Sequence, residues 1–193
     1  MSGNTFGMKV YSDLKRDIPM LKEFPNLTKC KKCNHFFKLD DLKEIGKYSL
    51  EEKANPEWIN ADKAEFLTIY EYFNALSLNI AKSKEEEFDM RIRIWWSFND
   101  RVRNKENLFQ HEVDKYLWEE NLLKLKQLIE LSEDNVNGFI LFAEIERSLG
   151  NFEDCVNMIY NLTAPDMGWL VKLYESKCEE KNSFVFQLGN AGN

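Results

Sequence analysis

The sequence predicts a mainly α-helical fold, arranged as a helical bundle or short solenoid that follows a small N-terminal head of irregular and β structure. After residue 60, apolar residues recur at helical spacing in successive segments, which is typical of amphipathic helices. Before that point, Pro19, Pro25 and Pro56 interrupt the chain and no helical period is sustained. We therefore expect two domains, a head over residues 1–60 and a helical domain over residues 61–189.

The composition is that of a globular protein with an acidic balance of charge. The chain has 193 residues, of which 44% are apolar and 13% aromatic, so it can build a core without disulfides or metals. Its formal charge of −7 disfavours nucleic acid and anionic membrane as main ligands, because phosphate binding depends on surplus Lys and Arg. No segment resembles a signal peptide or reaches the roughly 20 apolar residues that span a bilayer, so we expect a cytoplasmic protein.

Within the head, the sequence predicts a small β structure. Residues 8–11 are expected to form a short strand that turns at Ser12 and Asp13. The stretch through Thr28 is expected to return as the partner of that strand. This pairing would bring the strands directly in front of a pair of cysteines.

Two amphipathic helices are predicted after the head. The first begins at Asp62, which forms a capping-box pattern with Glu65 in front of an apolar series at helical spacing. That series is Phe66, Ile69, Phe73, Leu76 and Ile80. The second covers residues 84–99 and starts with an acidic run at 85–87, where the helix dipole favours negative charge.

Four more helices are predicted in the second half of the chain. Their expected ranges are residues 112–131, 135–149, 152–162 and 166–181. In the first of them, the residues expected to face inward are Val113, Leu117, Leu122, Leu125 and Leu128. Gly150 and Asn151 supply the turn between the next two, which therefore form a helical hairpin. The tail at residues 184–188 is expected to add a short strand or to pack as a loop.

One segment carries a resemblance to a known repeat. Residues 138–165 read GFILFAEIERSLGNFEDCVNMIYNLTAP, with small Ala143 and Cys155 where two helices must pack closely and Gly150 at the turn. This segment resembles one tetratricopeptide repeat, with Glu146 in place of the usual first-helix aromatic residue. Because repeat scaffolds need about three units for stability, the resemblance implies a hairpin that leans on the preceding helices. Trp169 could open a further half repeat.

The layout as a whole resembles a group of bacterial proteins. They combine a C-x-x-C head, here KCKKCNHFF, with a WW-x-x-N-D helix, here RIRIWWSFNDRVR, and repeat-like helices. The resemblance implies this architecture and a bacterial cytosolic setting. It transfers no activity, so function must be argued from candidate sites.

Cys30 and Cys33 form the sharpest local motif. Two thiolates at C-x-x-C spacing on a turn can reach one zinc ion, and neighbouring lysines favour the thiolate form. We therefore predict Cys30, Cys33 and His35 as candidate metal ligands. Tetrahedral zinc needs four ligands, so the cysteine pair would be completed, in one chain or across a homodimer, from His35, His111, Asp40 or Asp41.

Two other interpretations of the cysteines stay open. Cys30 and Cys33 can serve thiol redox chemistry or form a plain structural turn, although the βαβ pattern typical of thioredoxin-like proteins does not surround them. Cys155 and Cys178 lie inside helical patterns and are predicted to be small buried apolar residues.

A second constellation lies on the predicted helix over residues 84–99 and just beyond it. Arg91, Trp95, Asn99 and Arg103 follow one another at i+4 steps and drift slowly around one helical face. We predict that Arg91, Asn99 and Arg103 line a groove for an acidic or peptide ligand. The structural alternative places Trp95 and Trp96 in the core, lets Asn99 and Asp100 cap a helix end, and pairs the arginines with carboxylates such as Glu144 or Glu146.

The sequence favours binding over catalysis. It contains no G-x-S-x-G turn and no phosphate-binding glycine loop, and its two histidines stand in no recognisable catalytic motif. We expect a non-enzymatic interaction module for a protein or peptide partner. The alternatives are a zinc-binding or thiol-redox protein centred on Cys30 and Cys33, and a structural subunit of a larger assembly.

Overall fold

A computed structural model describes residues 7–21, 23–46, 61–132, 135–162 and 165–190. These residues contain six α-helices and five short strands, which confirms the predicted mainly α-helical class with a small β component near the N-terminus. No helix among them is long and apolar enough to cross a membrane. Residues 47–60, which the sequence assigns to the end of the head, lie outside the described ranges.

The elements are numbered in chain order. The strands are β1 (Lys9–Tyr11), β2 (Arg16–Asp17), β3 (Leu27–Lys29), β4 (Phe36–Lys38) and β5 (Gln187–Asn190). The helices are α1 (Ile69–Ser77), α2 (Lys84–Arg103), α3 (Asp114–Leu128), α4 (Val136–Ser148), α5 (Phe152–Ile159) and α6 (Gly168–Glu179).

The chain forms two compact units whose boundaries differ from the predicted head and helical domain. One unit comprises residues 23–80, and the other combines residues 1–22 with residues 81–193. The difference arises because β1 pairs with the C-terminal strand β5, so the start of the chain belongs to the helical unit.

In the smaller unit, the described residues contain an antiparallel hairpin and the α-helix α1. Strands β3 and β4 pair with Leu27 opposite Lys38. Helix α1 begins at Ile69, seven positions after the predicted start at Asp62, because Thr68 and Glu71 form the capping box. The Thr68 hydroxyl accepts the Glu71 N–H, while the Glu71 carboxylate accepts the Thr68 N–H at 2.8 Å. The prediction that Asp62 caps this helix is wrong.

In the helical unit, β1 is the middle strand of a three-stranded antiparallel sheet with the order β2-β1-β5. The expected pairing of the first strand with the stretch through Thr28 is therefore wrong. The chain reverses within a tight turn in which the Tyr11 N–H binds the Lys15 carbonyl, and Leu14 adopts a left-handed backbone with φ of 57°. The tail at residues 184–188, for which a short strand or a loop was expected, leads into β5, which shares residues 187–188 with it.

The helices of this unit pack in chain order. Helix α2 packs on α3, and α4, α5 and α6 pack successively on one another. Gly150 lies at the α4–α5 turn with φ of 84°, a conformation that favours glycine. Ala143 and Cys155 are fully buried, so the predicted helical hairpin is present. The prediction that Val113 faces inward is wrong, because it precedes the first residue of α3 and is exposed.

Candidate functional site

Two of the three predicted partner-binding residues converge on one buried carboxylate. The Asn99 amide donates to Asp13 Oδ2 at 2.7 Å, and the Arg103 guanidinium donates to the same oxygen. The Trp96 indole N–H donates to the Asp13 carbonyl at 3.0 Å. We call Asp13, Asn99 and Arg103 the Asp13 cluster. Asn99 is 3% exposed and Asp13 is fully buried, so the cluster fastens the turn after β1 to α2.

Two further charged side chains, Asp100 and Lys15, lie beside the Asp13 cluster. Arg103 Nη1 also donates to Asp100 at 2.7 Å, and Lys15 donates to both oxygens of Asp100 at 2.6 and 2.8 Å. The Arg103 guanidinium lies over the Tyr11 ring, 4.5 Å from its centroid. Two carboxylates thus face two cations, as the desolvation of buried charge requires. Asn99 and Asp100 lie inside α2, so they do not cap its end as the structural alternative expected.

Arg91, the third predicted partner-binding residue, does not join this cluster. It is 8% exposed, and its Nε donates to Glu87 Oε1 at 2.7 Å one turn earlier on α2. Its carbonyl accepts the Asn121 amide of α3 at 3.0 Å. Arg91, Asn99 and Arg103 therefore make intrachain contacts, and the arginines pair with carboxylates other than the expected Glu144 and Glu146.

A second buried polar cluster lies on α4. Arg147 binds Glu144 through two hydrogen bonds of 2.5 and 2.8 Å, and both side chains are fully buried. Ser12 donates its hydroxyl to Glu144 at 2.6 Å. We call Ser12, Glu144 and Arg147 the Glu144 cluster. Burial raises the pKa of Glu144, while the charge and hydrogen bonds of Arg147 oppose that rise.

The Glu144 cluster links two segments to α4, which are the turn after β1 and the segment that leads into β5. Arg147 donates to the carbonyls of Asn182 and Phe184 in the segment that leads into β5. The Tyr174 hydroxyl donates to the Ser12 carbonyl at 3.3 Å, and burial raises the pKa of Tyr174 well above its ordinary value. These contacts occupy the polar groups of the cluster, so its role is to hold the fold together. Its signal in the sequence is a Glu and an Arg at i and i+3 within an apolar helix.

An open groove of about 710 Å³ lies elsewhere on the helical unit, where the start of α2, the end of α3 and the start of α4 meet. Its floor is apolar and consists of half-buried or buried side chains, which are Leu14, Phe88, Leu128, Ile129 and Leu141. Its rim is polar and exposed, and comprises Lys84, Glu85, Asp89, Gln127, Glu130 and Asn137. We call this feature the α2–α4 groove.

Close backbone packing fixes one end of the groove. The Asn135 side chain caps α4 by accepting the Gly138 N–H at 2.9 Å, and it donates to the Glu130 carbonyl at 2.7 Å. A Cβ at Gly138 would lie 2.7 Å from that carbonyl oxygen, closer than real Cβ contacts allow. Asn135 and Gly138 thus hold the end of α3 against the start of α4.

Negative charge dominates the groove rim. Among the described residues that line the groove, the charged side chains are Glu85, Asp89, Glu130 and Lys84. A hydrogen bond from the Ser83 hydroxyl lowers the pKa of Glu85, which keeps it ionised. Partial burial raises the pKa of Asp89, and the charge of Arg93 opposes that rise. A positively charged ligand group would be attracted to these carboxylates. The groove has no signal in the sequence, because three helices and a turn contribute to it.

The cysteine turn, defined as residues 30–35, joins β3 to β4 in the smaller unit. The Cys30 N–H binds the His35 carbonyl at 2.9 Å, and the Asn34 N–H binds the Cys30 carbonyl at 2.8 Å. Asn34 adopts a left-handed backbone with φ of 59°. The backbone N–H groups of Cys33 and Lys32 hydrogen-bond to the Cys30 sulfur and lower the pKa of its thiol. Such N–H donors stabilise a thiolate over a thiol.

The side chains around the cysteine turn are divided between solvent and ion pairs. Cys33 and His35 are exposed, and Cys30 is half-buried. Lys29 pairs with Glu71, and Lys31 pairs with Glu65 at 2.8 Å. Within the described ranges, His, Cys, Asp and Glu side chains form no group of three that could hold a metal ion. Cys30, Cys33 and His35 therefore do not form a three-ligand set within one chain.

The remaining cysteines occupy a different environment. Cys155 on α5 and Cys178 on α6 are both buried in the apolar core between these helices. The neighbouring Cys178 thiol and burial raise the pKa of Cys155. The prediction that both are small buried residues is confirmed.

Comparisons of this chain with protein-family models, with curated proteins and with solved structures found no match.

Proposed function

We propose that this protein is a non-enzymatic interaction module that binds an apolar, basic segment of a protein partner in the α2–α4 groove. The observation that carries the proposal is the combination of an apolar floor with an acidic rim on one exposed surface. Isolated exposed apolar side chains need no explanation, but an apolar concavity bordered by convergent charges is typical of a binding site.

The size of the groove suits a peptide. Its volume of about 710 Å³ falls within the roughly 300 to 1,000 Å³ of typical ligand sites. Three helices line it, and a groove between helices commonly accepts the apolar face of a short helix or an extended segment. Leu14, Phe88 and Leu141 would contact apolar side chains of such a segment.

The charge of the groove defines the chemistry of the occupant. Glu85, Asp89 and Glu130 favour Lys or Arg next to the apolar residues of the partner segment. The net charge of −7 on the whole chain would attract a basic partner over longer distances. The interaction should therefore weaken as ionic strength rises, since exposed charges are screened.

The buried clusters contribute to this function by positioning the groove floor. Leu14 lies next to Asp13, which is held by Asn99 and Arg103, and its left-handed backbone is unfavourable for a leucine. The Asp13 cluster keeps this turn in place, and Leu14 lines the groove. Asn99 and Arg103 would thus support partner binding without touching the partner.

The tetratricopeptide resemblance and the cytoplasmic location form part of the same proposal. The hairpin of α4 and α5, with buried Ala143 and Cys155, supports a repeat-like scaffold whose first helix contributes Gly138 and Leu141 to the groove. The cytoplasm is the compartment that the sequence predicts, and it keeps thiols reduced.

A peptide-display screen against the full chain tests the proposal. We expect selection of segments that combine apolar residues with Lys or Arg. Asn137 is exposed on the rim, so Asn137→Trp should block the groove and weaken the selected peptides by at least about tenfold. The matched control is Asn157→Trp, which places the same side chain at an exposed position of α5 outside the groove lining and should leave affinity unchanged.

Charge variants test the second half of the proposal. Asp89→Asn combined with Glu130→Gln removes two rim charges and should weaken binding several-fold while flattening its salt dependence. Selected peptides that are acidic, or that bind Asn137→Trp as tightly as the parent chain, would contradict the assignment of the groove.

A further inference from the structure

We infer that the cysteine turn is half of a zinc site and that two copies of this chain, each contributing Cys30 and Cys33, close around one zinc ion. This inference goes beyond the proposed function and does not depend on the groove, which lies in the other unit. It rests on the local geometry of the turn, on the accessibility of its sulfurs and on the supply of ligands in the chain.

The turn is already shaped as a metal-binding knuckle. The Cys30 N–H binds the His35 carbonyl, the Asn34 N–H binds the Cys30 carbonyl, and the left-handed Asn34 returns the chain into β4. The C-x-x-C spacing puts both cysteines on this one turn, where two thiolates can reach the same ion. Zinc-bound thiolates need nearby donors that offset their negative charge, and backbone N–H groups supply that role here.

Both sulfurs can be reached from outside the chain. Cys33 is exposed and Cys30 is half-buried at the end of a hairpin. The hairpin continues below them through the paired strands β3 and β4, with buried Leu27 and Phe36. The exposed end of the turn therefore follows directly from paired strands with buried side chains.

The chain cannot complete a thiolate site alone. It contains four cysteines, and Cys155 and Cys178 are buried in the core of the helical unit. In the part of the chain that the structure describes, no third His, Cys, Asp or Glu side chain joins the pair. A tetrahedral ion bound by Cys30 and Cys33 therefore needs two more ligands, and a second copy offers an identical pair of thiolates.

Electrostatics favours this arrangement. Four thiolates around one zinc ion carry a net charge of −2, and each copy brings Lys32 beside its own thiolates. Lys29 and Lys31 are held by Glu71 and Glu65 and therefore add little uncompensated charge. On binding, each of the four thiols gives up one proton to solvent, and four zinc–sulfur bonds form.

Zinc titration of the full chain, followed by native mass spectrometry and light scattering, tests the inference. We expect uptake of half an equivalent of zinc per chain together with a doubling of the molecular mass. X-ray absorption at the zinc edge should then show four sulfur neighbours at about 2.3 Å. Cys33→Ser should abolish both zinc uptake and dimerisation while circular dichroism keeps its helical signal.

Two control variants separate the alternatives. Cys155→Ala removes a buried thiol and should leave zinc uptake unchanged, whereas His35→Ala should leave both stoichiometry and mass unchanged. One zinc per monomeric chain would overturn the shared site and place its ligands within one copy, and loss of uptake in His35→Ala would overturn the four-thiolate ligand set. Absence of zinc uptake would overturn the site altogether. Peptide binding by Asn137→Trp does not bear on these outcomes.

Discussion

The buried polar clusters and the rim of the α2–α4 groove belong to the same helical unit but use charge in opposite ways. In the clusters around Asp13 and Glu144, each carboxylate faces a guanidinium and the side chains are withdrawn from solvent. On the groove rim, Glu85, Asp89 and Glu130 are exposed, and Lys84 is the one basic side chain among the described lining residues. The buried ion pairs of the clusters contribute to stability. The exposed carboxylates of the groove rim can interact with a partner.

Substitutions in the buried clusters and on the groove rim should therefore have different effects. Changes within the clusters should lower the free energy of unfolding, because they leave a buried charge without its partner. Changes on the rim should alter binding and leave that free energy nearly constant.

The largest loss is expected from breaking the Glu144–Arg147 pair. Arg147→Ala leaves Glu144 buried without its cation, and Asn182 and Phe184 lose a donor, so the free energy of unfolding should fall by about 3 to 5 kcal/mol. Chemical denaturation followed by circular dichroism measures the change. The control is Lys115→Ala, which breaks the exposed pair with Glu119 and should cost less than about 1 kcal/mol. Equal losses in the two variants would refute the distinction.

A smaller loss is expected from the buried cysteines. Cys155→Ser places a hydroxyl in an apolar core and should lower the free energy of unfolding by about 1 to 3 kcal/mol. Cys33→Ser changes an exposed side chain and, without metal, should stay within about 0.5 kcal/mol of the parent. Denaturation curves of the two variants make the comparison, and a larger loss from Cys33→Ser would show that the cysteine turn is structural without metal.

In the smaller unit, we expect the stability of α1 to depend on pH, with a change no larger than the loss expected from Cys155→Ser. The hydrogen bond from Lys29, and then that from the Thr68 N–H, lower the pKa of Glu71 below its ordinary value of 4.5. At pH values between the lowered pKa of the folded chain and the ordinary value, the unfolded chain therefore binds more protons than the folded chain. The stability that the Glu71 charge provides is present above the ordinary value and is lost as pH falls through the lowered pKa.

Glu71→Gln should make α1 less sensitive to acid. Amide exchange in residues 69–77 of the parent chain should accelerate between about pH 6 and about pH 3, after correction for intrinsic exchange rates. The variant should show a flatter dependence. A parent profile as flat as that of the variant would mean that Glu71 does not stabilise the helix through its charge.

The smallest effect on stability is expected at the groove rim. Asn137→Trp should change the free energy of unfolding by no more than about 0.5 kcal/mol, because the side chain is exposed. Thermal unfolding checks this expectation. A large destabilisation would mean that loss of peptide binding by this variant reports misfolding, and the charge variants at Asp89 and Glu130 would then carry the test.

The helices could be predicted because their apolar residues follow the helical period, but their starts depended on choices that the sequence leaves open. Two capping-box patterns stand six residues apart, Asp62 with Glu65 and Thr68 with Glu71, and only the second caps α1. The partner of β1 was mispredicted because the chain reverses at Leu14, a residue type that seldom adopts positive φ.

The candidate sites were predictable to different degrees. The cysteine turn is a local motif, so its residues could be named from spacing alone. The i+4 series singled out Asn99 and Arg103 as members of one constellation, but it could not show that Asp13, 86 residues away from Asn99, occupies them. The α2–α4 groove has no local signal, since Leu14, Phe88 and Leu141 come together only in the folded unit.

Hydrogen exchange of the full chain, with and without a peptide selected by display, tests directly whether the α2–α4 groove is the binding surface. Binding in the α2–α4 groove predicts slower exchange in residues 84–89, 127–130 and 137–141, with little change in α5 and α6. Protection confined to α5, α6 or the cysteine turn, with unchanged exchange in the groove segments, would contradict the assignment of the groove as the binding surface.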